Sequence, residues 1–150
     1  GGFSKPGGGS VAAVPPPHVM PQRPADVTCH LKTSPQSALL YRLNGDYNPL
    51  HAAPAVASAA GFPRPILHGL ATMGFAMHSV LRSVLGYHGT RIRSMRVRFT
   101  APVYPGETLI TELWKDDQVL SLRSTALERD KVVIDRARIE LDGPPSRPHP

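Results

Sequence analysis

The chain holds one cysteine, Cys29, in 150 residues. No intramolecular disulfide can form, so nothing in the composition calls for an oxidising compartment. No apolar run approaches the roughly 18 residues that a membrane span needs. A charged, apolar and small-residue pattern of the signal-peptide kind is also missing from the start. The sequence opens "GGFSKPGGGS" without a Met and ends "RPHP" without a recognisable targeting tripeptide, so it has the look of a piece of a longer protein. Motifs that announce common chemistries are absent as well. There is no P-loop, no nucleophile elbow and no G-x-G-x-x-G. His18, His30, His88 and His149 show no metal-ligand spacing, so no metal is expected.

What is present fits one folded domain. A length of 150 residues with 41% hydrophobic content is enough to bury a core. The net charge is +6. That charge permits an anionic ligand, a nucleic acid or a membrane surface without choosing among them. The cluster Arg91, Arg93, Arg96 and Arg98 lacks the interleaved aromatics that single-stranded nucleic acid binding would want, and no nucleic-acid partner is expected. The 17 prolines, against a usual share of about 5%, crowd toward the ends. Residues 1–24 therefore form a Gly/Pro-rich linker or arm, residues 25–142 the domain, and residues 143–150 a tail of the same kind as the arm.

Periodicity divides the domain. Residues 25–32 alternate as a strand, with Val27, Cys29 and Leu31 on one face. A short helix over 35–43 follows, capped by Ser34 and stopped by Gly45. Pro54 starts a second short helix, which Gly61 ends. The longest helical run is "ILHGLATMGFAMHSVLRSVLGY", 66–87, with Leu70, Met73, Met77, Val80, Leu81 and Val84 at helical spacing. Its other faces are small or apolar, which predicts burial on most sides. From Arg91 the period becomes two, giving strands over 91–103, 108–115, 119–128 and 132–141. "PGE" and "DDQ" mark turns between them. Met95, Val97, Phe99 and Ala101 share one face. An antiparallel sheet wrapped around one long central helix satisfies this order. That is an α+β hot-dog architecture.

The chemistry concentrates in "YRLNGDYNPLH", 41–51. Gly45 reverses the chain by taking positive φ, and Pro49 holds Asn48 extended. Asp46 and His51 can therefore converge through a turn. A carboxylate beside an imidazole can hold and activate a water, with Asn48 in the same hydrogen-bond network. The simpler reading is an Asx-turn with a capping Asp and a surface His. Downstream, Gly69 begins the long helix, where an unpaired backbone N–H suits an oxygen that gains negative charge. His68 is otherwise a plain helix start, His78 a helix-face residue, and Met73 and Met77 core packing.

"YRLNGDYNPLH", "AGFPRPILHGLATMGFA" and "RVRFTAPVYPGETL", in that order, resemble the MaoC-like (R)-specific enoyl-CoA hydratases, the hydratase 2 group. The similarity is greatest to the C-terminal half of the hydratase unit in eukaryotic peroxisomal multifunctional enzymes. It covers roughly residues 25–142. The resemblance implies the hot-dog fold and syn hydration of a trans-2-enoyl-CoA to a (3R)-hydroxyacyl-CoA in fatty acid β-oxidation. It makes Asp46 and His51 the catalytic pair, places Asn48 in their network, and gives Gly69 N–H the thioester oxygen. Gly45, Tyr47, Pro49, Leu50 and Phe99 fall on the substrate-binding surface. No cofactor is implied, because CoA belongs to the substrate. The outward arginines are either a solvated face or a contact for CoA phosphates. The implied partner is a second hot-dog unit, as a homodimer or as another repeat of a longer chain. The implied location is the peroxisome, with the cytoplasm as the alternative. Two other readings remain: a MaoC-like dehydratase acting on acyl-carrier-protein thioesters, and a non-catalytic acyl-CoA-binding half-domain.

Overall fold

Alternation of apolar and polar residues builds the sheet. The computed structural model describes residues 16–143. The expected arm over 1–15 and tail over 144–150 lie outside the described residues. Strand β1 (Val27–Lys32) is followed by a short helix α1 (Ser37–Tyr41), a second short helix α2 (Pro54–Ala59) and a long helix α3 (Gly69–Ser83). Four strands then run β2 (Ile92–Phe99), β3 (Thr108–Asp116), β4 (Val119–Ala126) and β5 (Lys131–Leu141). They form one antiparallel sheet in the order β1-β3-β4-β5-β2. This is the α+β hot-dog arrangement.

Helix α3 lies on one face of the sheet. Ala76, Val80, Val84 and Leu85 pack against Leu113, Leu120, Leu122, Ile134, Ala137, Ile139 and Leu141. Each fully buried leucine or isoleucine stabilises the fold by about 1.5–3 kcal/mol relative to leaving it exposed. A second cluster, Ala38, Leu67, Ala71, Val103, Leu109, Ala126 and Val133, sits under the start of α3.

Several boundaries differ from the sequence expectation. The long helix spans 69–83 rather than 66–87. Its missing first turn has been recruited elsewhere: Leu67 N–H bonds Val103 O at 2.7 Å, and the Ile66 carbonyl accepts from His51 Nδ1 at 2.8 Å. The helix is also buried on one side only. Ala71, Thr72, Ala76, Ser79 and Val80 are buried, while Leu70 is 67% exposed and Gly74 and His78 are exposed. Helix α1 covers only 37–41, and a 3-10 turn over 42–44 carries the chain to Gly45 at φ 97°. Strand β2 stops at Phe99, so Ala101 lies beyond it, and β4 gives way to a 3-10 turn over 127–129.

Strand β5 absorbs an extra residue beside β2. Arg96 pairs with Arg138 and Arg98 with Asp135, and Arg136 takes φ 52°. A second register shift lies between Ile92 and Ser94, and the alternation of β2 ends with Arg98 and Phe99 both exposed. Residues 16–24 form neither helix nor strand and lie against the sheet: His18 Nε2 is 2.7 Å from Ser121 Oγ, and Trp114 Nε1 donates to Arg23 O at 2.8 Å. Among the described residues, no helix is long and apolar enough to cross a membrane.

Candidate active site

The loop after α1 is shaped by its own side chains. Gly45 turns the chain out of the 3-10 turn. Asp46 Oδ1 accepts from Asn48 N–H at 3.3 Å. Asn48 Oδ1 accepts from Leu50 N–H at 3.0 Å and so caps the single 3-10 turn Pro49–His51. The Asn48 side-chain oxygen is therefore engaged in building the loop. Tyr47 lies out in solvent with Arg42 over its ring, 5.7 Å from the centroid.

His51 is not a surface histidine: it is 9% exposed. Its Nδ1 lies 2.8 Å from the Ile66 carbonyl. A carbonyl can only accept, so Nδ1 carries the proton and Nε2 presents a lone pair. One side-chain ligand atom from each of Asp46, His51 and His68 lies within 4.8 Å of the other two. Two hydrogen bonds of about 2.8 Å meeting at one water span roughly 4.6 Å. The carboxylate and the imidazole can thus share a water.

His68, weighed in the sequence as a helix start, belongs to this group. It is 2% exposed. Its ring stacks on that of His51, with centroids 3.7 Å apart and planes 25° from parallel. Tyr41 flanks it at 4.6 Å. Its Nε2 reaches the backbone oxygen of Asp46 at 3.3 Å and the Asp46 carboxylate at 4.0 Å. Its buried Nδ1 has no hydrogen-bond partner among the described residues, a condition that costs about 1–3 kcal/mol. Burial pushes the His68 imidazole below the ordinary histidine range. Charge on His51 and Arg42 pushes the same way, against the Asp46 carbonyl and carboxylate.

The trio is close enough to raise the question of a metal. An imidazole offers its lone pair in the plane of its own ring, and two nearly parallel rings hold those planes side by side rather than crossing at one point. The arrangement favours hydrogen bonding over a shared cation.

His68 leads directly into α3. Thr72 N–H is bonded to His68 O at 3.0 Å, and the N–H groups of the first turn, Gly69's included, precede that bond. Gly69 is exposed, at the positive end of the helix. Phe99, on β2, stands over it, and its ring lies 3.5 Å from where a Cβ on Gly69 would be. Phe99 is 46% exposed and so borders the opening rather than filling the core. Leu50 is half-buried beside His51, and Pro49 is exposed. Next to the site, Leu40, Tyr41, Asn44, Leu70, Gly74 and Phe75 line an apolar groove of about 410 Å³.

The structure thus brings Asp46, His51 and the start of α3 together. It adds His68, Tyr41 and the Ile66 carbonyl, which the sequence does not single out. No spacing signals them, because their value lies in contacts made across the fold.

Comparison with known proteins matches this arrangement to one family. The family described as "MaoC like domain" matches residues 18–137. The chain is 47% identical over 115 residues to the peroxisomal enoyl-CoA hydratase 2 of Arabidopsis thaliana, covering 77% of this chain and 37% of that protein. The solved structure of full-length peroxisomal multifunctional enzyme type 2 from Drosophila melanogaster superposes with a TM-score of 0.84 at 42% identity, covering 88% of this chain and 25% of the other. The crystal structure of a MaoC-like dehydratase from Phytophthora capsici gives a TM-score of 0.83 at 37% identity, over 87% of this chain and 44% of that one. The chain spans less than half the length of each of these relatives, and it belongs to the MaoC-like domain family.

Proposed function

We propose that this chain is a hydro-lyase domain that adds water to a trans-2-enoyl-CoA and yields a (3R)-hydroxyacyl-CoA. The observation that carries the reading is the buried His51, held through Nδ1 by Ile66 O, with a ring nitrogen within 4.8 Å of an Asp46 carboxylate oxygen. The pair holds one water. His51 Nε2 accepts a proton as the water oxygen bonds to C3 of the enoyl group. The π electrons move onto the thioester oxygen, where Gly69 N–H meets the developing charge. The enolate then collapses and C2 takes a proton back from the same pair, so H and OH arrive on one face and nothing else is consumed. Asn48, Gly45 and Pro49 shape the loop, and Tyr47, Leu50 and Phe99 line the approach.

Relatives named enoyl-CoA hydratase 2 and peroxisomal multifunctional enzyme support this chemistry, a role in fatty acid β-oxidation and a peroxisomal location. The relative named a dehydratase fits the same site, since dehydration is the reverse reaction. A second hot-dog unit, from a longer chain or another copy, would cover the apolar groove beside Leu70.

The test is loss of enoyl-thioester ultraviolet absorbance with crotonyl-CoA and a longer trans-2-enoyl-CoA, followed by product chirality with an (R)-specific coupling enzyme. Turnover to the (3R) product supports the proposal. A folded chain inert toward both substrates, alone and after addition of a second hot-dog unit, overturns it.

A further inference from the structure

The His68 side chain touches both members of the proposed pair. Its Nε2 reaches the main chain of Asp46 at 3.3 Å, and its ring face covers that of His51 at 3.7 Å. It is fixed in turn by Tyr41 on its flank and by its place as the residue before α3. The site keeps this histidine in spite of a buried Nδ1 that finds no partner. A phenylalanine would fill the same slot with no polar atom to bury, so packing alone does not account for an imidazole here. An N–H aimed at the Asp46 carbonyl and a flat face for His51 are what an imidazole supplies together. A glutamine supplies only the first and a phenylalanine only the second.

We propose that His68 is a positioning residue that clamps Asp46 and His51 at the separation at which they share one water. The hydrogen bond fixes where the Asp46 loop sits. The stack fixes the plane of the His51 ring and, with the Ile66 carbonyl, the direction of its Nε2 lone pair. His68 itself transfers no proton. The inference rests on the hydratase reading for its kinetic consequence, though not for the geometry.

Two variants separate the two halves of the clamp. His68→Phe keeps the stack and removes the donor; His68→Gln keeps a donor and removes the stack. Each is expected to lower kcat about 10- to 100-fold, as small displacements of reacting groups do, while KM stays within about twofold and circular dichroism is unchanged. Independently of activity, NOE contacts of the His51 ring protons are expected to report one ring orientation in the wild type and averaged orientations in His68→Gln. Variants that keep wild-type kcat and lose only thermal stability would overturn the clamp, as would an unchanged His51 ring orientation in His68→Gln. If the wild type hydrates no enoyl-CoA, the functional reading fails, and the NOE contacts still decide whether His68 holds His51.

Discussion

The Phe99 ring stands 3.5 Å from the position a Cβ on Gly69 would occupy. That distance is ordinary van der Waals contact, so an alanine fits there without displacing the ring. The methyl would nonetheless stand beside the first N–H of α3, where the proposed mechanism puts the thioester oxygen.

Gly69→Ala is therefore expected to leave the fold intact and to lower kcat/KM for enoyl-CoA by about 100-fold. Thermal unfolding and steady-state kinetics on the same sample check both halves of the statement. A variant that unfolds, or one with full activity, contradicts it.

Asp46 and His51 differ in what they cost the fold. The Asp46 side chain is 53% exposed, so Asp46→Asn should change stability by no more than about 0.5 kcal/mol. His51→Ala removes a buried ring and leaves the Ile66 carbonyl without its donor, and should destabilise by about 1–3 kcal/mol. Both should reduce kcat by about 10²- to 10⁴-fold. Urea unfolding beside the ultraviolet assay tells the two profiles apart.

The lowered pKa of His68 makes stability depend on pH with a definite sign. In the unfolded chain this imidazole takes up a proton near its ordinary value of 6.5, whereas the folded state resists until lower pH. The unfolded state then binds more protons, so the contribution is complete above pH 6.5 and drains away as pH falls toward the folded value. His18 is shifted in the same direction, by burial and by Arg138 and Arg96. The difference between wild type and His68→Phe isolates His68. The melting temperature of the wild type minus that of His68→Phe, measured from pH 7.5 to 5, should fall as the pH falls.

Support for the site reaches the far side of the loop before β3. Glu107, 5% exposed, accepts from Tyr104 N–H at 2.8 Å and from Arg129 Nη2 at 2.9 Å. Arg129 also donates to Pro102 O at 2.7 Å. Arg129 keeps solvent contact when Glu107 is removed, whereas the buried Tyr104 N–H loses its acceptor. Glu107→Ala should destabilise the protein by about 1–3 kcal/mol, read as a fall in the midpoint of urea unfolding.

Leu70 is 67% exposed on the open face of α3, with Leu40 at 60%. A second hot-dog unit resting there would bury both. Leu70→Asp should then shift the 150-residue chain to monomer in light scattering, or abolish complex formation with a separately supplied hot-dog unit, while leaving its circular dichroism unchanged.

Much of this was legible in the residues. Strict alternation gave away β2 through β5, because one face of an antiparallel sheet must be buried. The glycines at 45 and 61 stopped their helices as local backbone chemistry requires. The beginning of α3 was not legible. Residues 66–68 have helical periodicity, but their carbonyl and N–H groups serve His51 and Val103, and tertiary bonds overrode local preference. The polarity of α3 was misjudged for a related reason: an apolar helix face does not say whether the covering layer lies in the same chain. His68 was hidden because its contacts come from residues 41, 46 and 51, which no periodic pattern joins to it. The turn that Asn48 caps through its side-chain oxygen is the kind of local bond that its place before Pro49 suggests.

The short extended run from Ile66 to His68 has a consequence for how this sequence can vary. Leu67 points into the core while His68 faces His51, as successive residues of an extended backbone must. Leu67 is tied to Val103 and His68 to the start of α3, so one residue inserted between them would break the alternation that puts one in the core and the other over His51. The length of this connection is thus under the same constraint as the identity of the residues it carries, and drift that is harmless in most loops would here erase the site in a single step.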